Sequence, residues 1–158
     1  MVQNPVVNKK VRGTKTIEYN GIKFKSTLEC NCYKLLEKSG LNFAHESEKF
    51  DLWQGFKPEI EIWAPSKVKG NSFKLTKFME QQTRTYVKIT YTPDFVVTKG
   101  KYKIYMDSKG HPNDVFPYKR KMFIKQLQQT EDEFTYVYME PHNLRQMQQA
   151  IDIINSYE

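Results

Sequence analysis

The chain has 158 residues, of which 25 are Lys or Arg and 18 are Asp or Glu, so its formal net charge is +7, and 39% of the residues are hydrophobic. This length and apolar content predict one folded domain with a hydrophobic core, and they exclude wholesale disorder. No stretch approaches the roughly 20 apolar residues of a membrane-spanning helix. No signal-peptide pattern opens the chain, so we expect a cytoplasmic protein with no membrane partner.

The positive charge is concentrated in blocks. Residues 1–27 and 65–90 each carry six positive charges and one negative charge, and 99–125 carries eight and two. Aromatic residues recur inside or directly beside the last two blocks: Tyr86, Tyr91, Tyr102, Tyr105, Phe116, Tyr118 and Phe123. Clustered cations with interleaved aromatic rings favour a polyanionic partner such as nucleic acid. The alternative is an ordinary domain with solvated charged faces and aromatic rings in its core.

The start of the domain carries patterns for a hairpin and a helix. Asn20 and Gly21 stand between two short alternating stretches, which is a strong hairpin signal. Ser26 and Glu29 form a capping-box pattern before a run with helical spacing, which predicts a helix over about 27–38.

The remaining elements follow from apolar periodicity and from Gly and Pro positions. They are strands within 41–52 and 59–63, a long basic loop or insertion over 64–82, strands over 83–91, 94–98 and 101–108, a basic helix over 118–128, a strand over 133–139 and a helix over 141–154. We therefore expect an α/β domain over 1–158, with a core over about 22–140, a basic arm over 1–16 and a C-terminal helix over about 141–155.

Three charged residues fall at the ends of predicted strands, where a sheet can bring them together. Asp94 opens one strand directly after Pro93, and Asp107 and Lys109 lie at the end of the next strand. A short hairpin returns the chain so that Asp107 comes near Asp94, and Lys109 leaves the strand on the same face as Asp107. Carboxylates this close repel each other unless a cation lies between them, and oxygen ligands favour Mg²⁺ or Mn²⁺ over zinc. We therefore expect a divalent metal site, with Lys109 placed to orient its water or offset developing charge.

These residues resemble a known superfamily of nucleases. Pro93-Asp94 and Asp107-Ser108-Lys109 match the PD-(D/E)XK pattern of the restriction-endonuclease-like fold, with Asp107 where Glu is commoner. Three segments are similar to a small group of phage-encoded members: 91–95, 107–110 and 118–123. The resemblance implies a restriction-endonuclease-like αβββαβ core, in which a central mixed sheet is flanked by helices.

The resemblance also implies an activity, which is metal-dependent hydrolysis of phosphodiester bonds. The chain is then a Mg²⁺- or Mn²⁺-dependent endonuclease acting on branched or duplex DNA in phage or mobile-element DNA processing, in the host cell cytoplasm if phage-encoded. Asp94, Asp107 and the Ser108 backbone carbonyl hold the metal. Lys109 acts on the attacking water, and Glu29 in the first helix supplies a further acidic ligand and catalytic residue.

The expected partner is DNA. Its predicted contacts are basic residues of the helix after the site and of the insertion: Lys119, Arg120, Lys121, Lys125, Lys67, Lys69 and Lys74. A homodimer would let two sites cut opposite strands, although the sequence carries no clear dimer signature.

Each of these residues also has an ordinary structural interpretation. Glu29 can be only the capping partner of Ser26, Asp94 a turn residue, and Asp107 with Lys109 an exposed cross-strand pair. The superfamily includes members that have lost catalysis, so a non-catalytic DNA-binding module on the same fold is a second hypothesis. A protein-interaction domain that docks through its acidic C-terminal helix is a third.

Overall fold

The structure is a computed structural model that describes residues 17–67, 73–77, 86–110 and 113–158, with the backbone alone at 66–67, 73 and 76–77. Its elements are β1 (Ile17–Tyr19), β2 (Ile22–Phe24), α1 (Thr27–Ser39), β3 (Phe43–His45), β4 (Phe50–Trp53), β5 (Trp63–Lys67), β6 (Phe73–Lys77), β7 (Ile89–Tyr91), β8 (Phe95–Lys99), β9 (Tyr102–Met106), α2 (Phe116–Gln128), β10 (Thr135–Met139) and α3 (Leu144–Asn155). None of the described helices is long and apolar enough to cross a membrane. The predicted basic arm over 1–16 lies outside the described residues.

The fold is mixed α/β, and its central sheet has four strands in the order β10-β9-β8-β3. β8 pairs antiparallel with β3 and with β9, whereas β9 and β10 are parallel, so the sheet is mixed. A parallel pair needs a crossover connection, and α2 supplies it between β9 and β10. The four strands of this sheet and the helices α1 and α2 follow one another in the chain in the order α1, β3, β8, β9, α2, β10, which is α-β-β-β-α-β.

Helices cover both faces of the central sheet. On one face, α1 and α3 contact each other and enclose an apolar core that contains Val97 and Ile104. Val96 and Tyr105 point to the other face, where they pack with Phe123 of α2. Alternate residues of β8 and β9 therefore lie in two separate cores, which holds the ends of these strands in place.

The predicted hairpin and first helix are confirmed, and their local causes are visible. Asn20 and Gly21 have φ values of 50° and 75°, which suits the tight two-residue turn that joins β1 to β2. At the start of α1 the Ser26 hydroxyl accepts a hydrogen bond from the Glu29 backbone N–H at 3.1 Å. Half of the predicted capping box is present, because the Glu29 carboxylate instead accepts the backbone N–H of Lys25 at 2.9 Å.

The interpretation of 64–82 as a loop is wrong for the part that the structure describes. β5 and β6 form an antiparallel two-stranded hairpin there, with Pro65 opposite Leu75. Proline lacks an N–H, and a two-stranded ribbon tolerates it because one side of each strand needs no partner. The signal is weak, because β5 shows no alternation of apolar and polar residues, and Trp63 and Leu75 are more than half exposed.

Several predicted strands are shorter in the structure. The segment 59–63 is not a strand until Trp63, and the described part of 83–91 forms one only at 89–91, with Tyr86 in an isolated bridge to Phe56. β9 ends at Met106, so Asp107 and Lys109 follow the strand rather than lie within it.

Leu36 tests the core between α1 and the sheet. Its side chain is fully buried in that core, so Leu36→Ala is expected to lower the free energy of unfolding by about 2–5 kcal/mol. Urea denaturation measures this change. Lys38→Ala, at an exposed position of the same helix, is the control and should change the value by less than about 0.5 kcal/mol. A Leu36→Ala protein as stable as the wild type would contradict this packing.

Candidate active site

The candidate site lies where one strand of the central sheet begins and its neighbour ends. Phe95, the first residue of β8, pairs with Met106, the last residue of β9. Because these strands are antiparallel, Asp94 just before β8 and Asp107 just after β9 are brought side by side. Both carboxylate residues are buried, with 3% and 0% of their surface exposed.

Asp94 is held by the chain that follows β9. Its Oδ2 accepts hydrogen bonds from the backbone N–H of Ser108 at 2.8 Å and from the Ser108 hydroxyl at 3.0 Å. These bonds fix the carboxylate against the 107–109 segment and leave its Oδ1 facing Lys109 at 3.3 Å.

Lys109 connects the two acids. Its Nζ lies 3.3 Å from Asp94 Oδ1 and 3.2 Å from Asp107 Oδ1. Burial acts to lower the pKa of Lys109, but the charges of Asp94 and Asp107 outweigh it, and the pKa is raised above its ordinary value. With both carboxylates facing it, Lys109 is therefore a cation that pairs with Asp94 and Asp107.

Asp107 has one oxygen held by a hydrogen bond and one that faces the Lys109 ammonium. Oδ2 accepts a hydrogen bond from the Tyr138 hydroxyl at 3.0 Å. Oδ1 is buried and accepts no aligned hydrogen bond from any residue that the structure describes, although Lys109 is close to it. Burial raises the pKa of Asp107 above the ordinary range, against the lowering effects of Lys109 and Tyr138. A buried oxygen with unused lone pairs is a ready ligand for a cation.

Tyr138 is a site residue that the sequence analysis missed. It reaches Asp107 because β10 runs parallel to β9, which places Tyr138 opposite Tyr105 and one position before the strand end. Burial, followed by the charge of Asp107, raises the pKa of Tyr138 well above that of an ordinary phenol, so its hydroxyl keeps its proton and donates. Nothing in the sequence distinguishes Tyr138 from its neighbour Tyr136, since only the strand register decides which ring meets Asp107.

A cleft of about 550 Å³ opens beside the two acids. It is lined by Lys25, Thr90, Tyr91, Thr92, Asp107, Lys109, Asn113, Val115, Phe116 and Lys119. Three lysines and a single carboxylate among these residues favour an anionic occupant. Lys25 was not predicted, because no pattern separates it from the other lysines of the chain.

Glu29 lies in a neighbouring group rather than against the two aspartates. Its Oε2 accepts the Lys25 backbone N–H, and its Oε1 lies 2.8 Å from Nε2 of His45. Ligand atoms of Glu29, His45 and Glu46 lie within 4.8 Å of one another, which is close enough for a metal. Glu46 joins this group to the two aspartates. Its backbone N–H donates to the Asp94 carbonyl at 2.9 Å, and its carboxylate pairs with Lys25, which lines the cleft. The role of Glu29 as a metal ligand stays a prediction.

The predicted DNA contacts have different surroundings. Lys119 lines the cleft, and its ammonium donates to the Thr90 carbonyl at 3.0 Å. The Arg120 guanidinium instead donates to the Glu140 carboxylate at 2.7 Å. The remaining positions are as follows: Lys121 and Lys125 are exposed on α2, Lys74 is exposed on β6, Lys67 lies on β5, and Lys69 lies outside the described residues. Among the members of this set whose side chains the structure describes, Lys119 alone lines the cleft with Asp107.

Most of the aromatic residues in the basic blocks are core residues. Those buried with α2 in the second core are Tyr91, Tyr105, Phe116 and Phe123. Tyr86 and Tyr118 are exposed, and Tyr102 stacks on Tyr157 with ring centroids 4.4 Å apart. The aromatic interleaving is therefore explained mainly by packing.

The donor set fits a hard divalent cation. Asp94 and Asp107 present oxygen atoms to the same point, and the buried Asp107 Oδ1 lacks an aligned donor. Oxygen ligands of this kind suit Mg²⁺ or Mn²⁺. The predicted ligation by the Ser108 carbonyl stays a prediction.

The electrostatics of Asp107 predict a stability effect. Because burial raises its pKa in the folded protein, ionised Asp107 costs stability above about pH 3.9, where the carboxyl of an unfolded chain ionises. We expect Asp107→Asn to raise the thermal unfolding midpoint at pH 7 in a chelating buffer, and the gain to shrink as the pH falls toward about 4. The control is Asp114→Asn at an exposed position. A variant that is less stable than the wild type across this range would show that the ion pairs of Asp107 outweigh its burial.

Comparison with known proteins places the chain in a family. A family model described as "Protein of unknown function (DUF1064)" matches residues 9–141. No curated protein and no solved structure matches the chain. Because the match covers most of the sequence, including Asp94, Asp107 and Lys109, the chain belongs to the DUF1064 family.

Proposed function

We propose that this protein is a metal-dependent DNA endonuclease that hydrolyses phosphodiester bonds. The observation that carries the proposal is the junction of Asp94, Asp107 and Lys109 beside a cleft lined by lysines. Two buried carboxylates that share one cation, next to an anion-binding cleft, suit metal-assisted attack on a phosphate. The setting in phage or mobile-element DNA processing comes from the sequence resemblance alone.

The order of the elements supports the proposal. The central sheet and its two adjacent helices follow the α-β-β-β-α-β order that the resemblance to the PD-(D/E)XK superfamily implies. The two acids and the lysine lie at the ends of the second and third of these strands. We therefore propose a restriction-endonuclease-like core, and this assignment adds weight to the chemistry argued from the site itself.

The roles of the site residues follow from their surroundings. Asp94 and Asp107 would hold Mg²⁺ or Mn²⁺ through the oxygens that face Lys109. A bound divalent ion would polarise the phosphate and lower the pKa of its water. While Asp94 and Asp107 face Lys109 they keep it protonated, so we propose that it orients a water or offsets charge on the phosphate.

The cleft supplies contacts for the DNA backbone. Lys25 and Lys119 line it together with Lys109, so three lysines border the cleft next to Asp107. Phosphate contacts of this kind fix the position of the backbone and carry no sequence information. We propose that Lys25 and Lys119 bind phosphates that flank the reacting one.

A cleavage assay tests the proposal. Labelled linear, flapped and four-way DNA are incubated with Mg²⁺, Mn²⁺ or EDTA. We expect the wild type to cut only with metal, and Asp107→Asn and Lys109→Ala to lose about a hundredfold or more in rate, as is usual when one group of a preorganised site is removed. DNA affinity should be retained in Asp107→Asn.

Two exposed residues provide matched controls for this assay. Asp114→Asn and Lys101→Ala make the same chemical changes outside the cleft and should cut like the wild type. If the wild type binds DNA but cuts none of these substrates with either metal, the endonuclease proposal fails. The non-catalytic DNA-binding module then becomes the better account of the lysine-lined cleft.

Lys119 is expected to bind a phosphate. Lys119→Ala should weaken DNA binding about equally for all sequences and reduce the slope of log affinity against log salt by about 1. Fluorescence anisotropy at several salt concentrations measures both quantities. Lys101→Ala, at the opposite end of β9 from Asp107, should leave them unchanged. An unchanged slope in Lys119→Ala would exclude a phosphate contact at this residue.

A further inference from the structure

Tyr138 holds one oxygen of Asp107 by a hydrogen bond and so leaves the second oxygen facing Lys109 and the site. A carboxylate has two equivalent oxygens, and rotation about its side-chain bonds exchanges the atom that faces the site. In Asp107 the backbone is fixed, since its N–H donates to the Met139 carbonyl at 3.1 Å. The remaining freedom is that of the side chain, and the Tyr138 hydroxyl restrains it by holding Oδ2 at 3.0 Å.

The position of Tyr138 is itself set by packing and charge. Its ring contacts Phe123 of α2 edge to face, with centroids 6.2 Å apart. Its hydroxyl also lies 3.5 Å from Glu140, and Glu140 is held by Arg120 at 2.7 Å and by His142 at 2.9 Å. The donor that meets Asp107 is therefore attached to a strand of the sheet and to α2, and is not a mobile surface group.

Tyr138 does not line the cleft, so it has no place to contact DNA there. Its ring instead borders a separate depression between α2 and β10, together with Leu127 and Tyr136. Any effect of its hydroxyl on the site must pass through Asp107. This separates Tyr138 from Lys25 and Lys119, which face the cleft directly.

We propose that Tyr138 is a positioning residue that orients Asp107 so that its Oδ1 faces the metal site. The proposal rests on the proposed nuclease function and adds to it a residue outside the PD-(D/E)XK pattern. Hydrogen-bond partners of metal-binding carboxylates commonly change metal affinity or activity by about 10–100-fold when they are removed.

The test replaces the hydroxyl and keeps the ring. Tyr138→Phe is compared with the wild type for Mn²⁺ affinity, measured by electron paramagnetic resonance, and for kcat and KM on the DNA substrate that the wild type cuts best. We expect the Kd for Mn²⁺ to rise and kcat to fall, each by about tenfold or more, with KM unchanged. A purely structural role would move the unfolding midpoint and leave the Mn²⁺ Kd as it is.

The matched control is Tyr136→Phe, the same change two residues earlier on β10. The Tyr136 hydroxyl donates to Asp132 at 2.5 Å, outside the site, so this variant should match the wild type in Mn²⁺ affinity and rate. Where Tyr138→Phe does not fold, Tyr138→Leu, which also removes the hydroxyl, is compared with Tyr136→Leu, and an Mn²⁺ Kd equal to that of the wild type overturns the positioning role.

The outcomes separate the two proposals. If the wild type binds Mn²⁺ and cuts DNA, and Tyr138→Phe does both within about twofold of it, only the positioning role is wrong, since removing such a partner normally costs more than that. If the wild type neither binds Mn²⁺ nor cuts DNA, the proposed function and the positioning role are both overturned.

Discussion

The structure of the site depends on one partly exposed cation between two buried carboxylates. Asp94 and Asp107 are almost completely removed from solvent, and the Lys109 ammonium lies 3.3 Å and 3.2 Å from them. Two buried negative charges that face the same ammonium group repel each other strongly in a low-dielectric interior, so a positive charge must accompany them. Lys109 supplies that charge, and the Asp107 oxygen that faces Lys109 accepts no aligned hydrogen bond from the described residues, which suits it to bind a second cation as well.

The central sheet makes this costly arrangement possible. β8 and β9 are packed on both faces, so their ends are held at the register that places Asp94 beside Asp107. The neighbouring strand β10 carries Tyr138, whose hydroxyl donates a hydrogen bond to Asp107. Burying ionised carboxylates lowers the stability of a protein. Two buried acids at a cleft therefore indicate a function more strongly than two exposed acids would.

The cleft and the site together favour a phosphate-containing substrate. Lys25, Lys109 and Lys119 face one space, whereas Arg120, on the same helix as Lys119, is paired with Glu140. Net charge alone does not distinguish these residues, although all of them belong to basic blocks of the sequence. The difference between Lys119, which lines the cleft, and Arg120, which pairs with Glu140 and does not line it, comes from the packing of α2 against the sheet.

The sequence by itself determined three features: the hairpin at Asn20 and Gly21, the first helix, and the association of Asp94 with Asp107. The hairpin depends on turn residues, the helix on its capping residue, and the association on two strands that are neighbours in the chain, so each has a local pattern. It did not indicate the hairpin of β5 and β6, whose strands bury no periodic face. Only the tertiary structure decided that Tyr138 contacts Asp107 and that Lys25 lines the cleft. These contacts join residues far apart in the chain through a parallel strand register and helix packing, and no local pattern encodes either one.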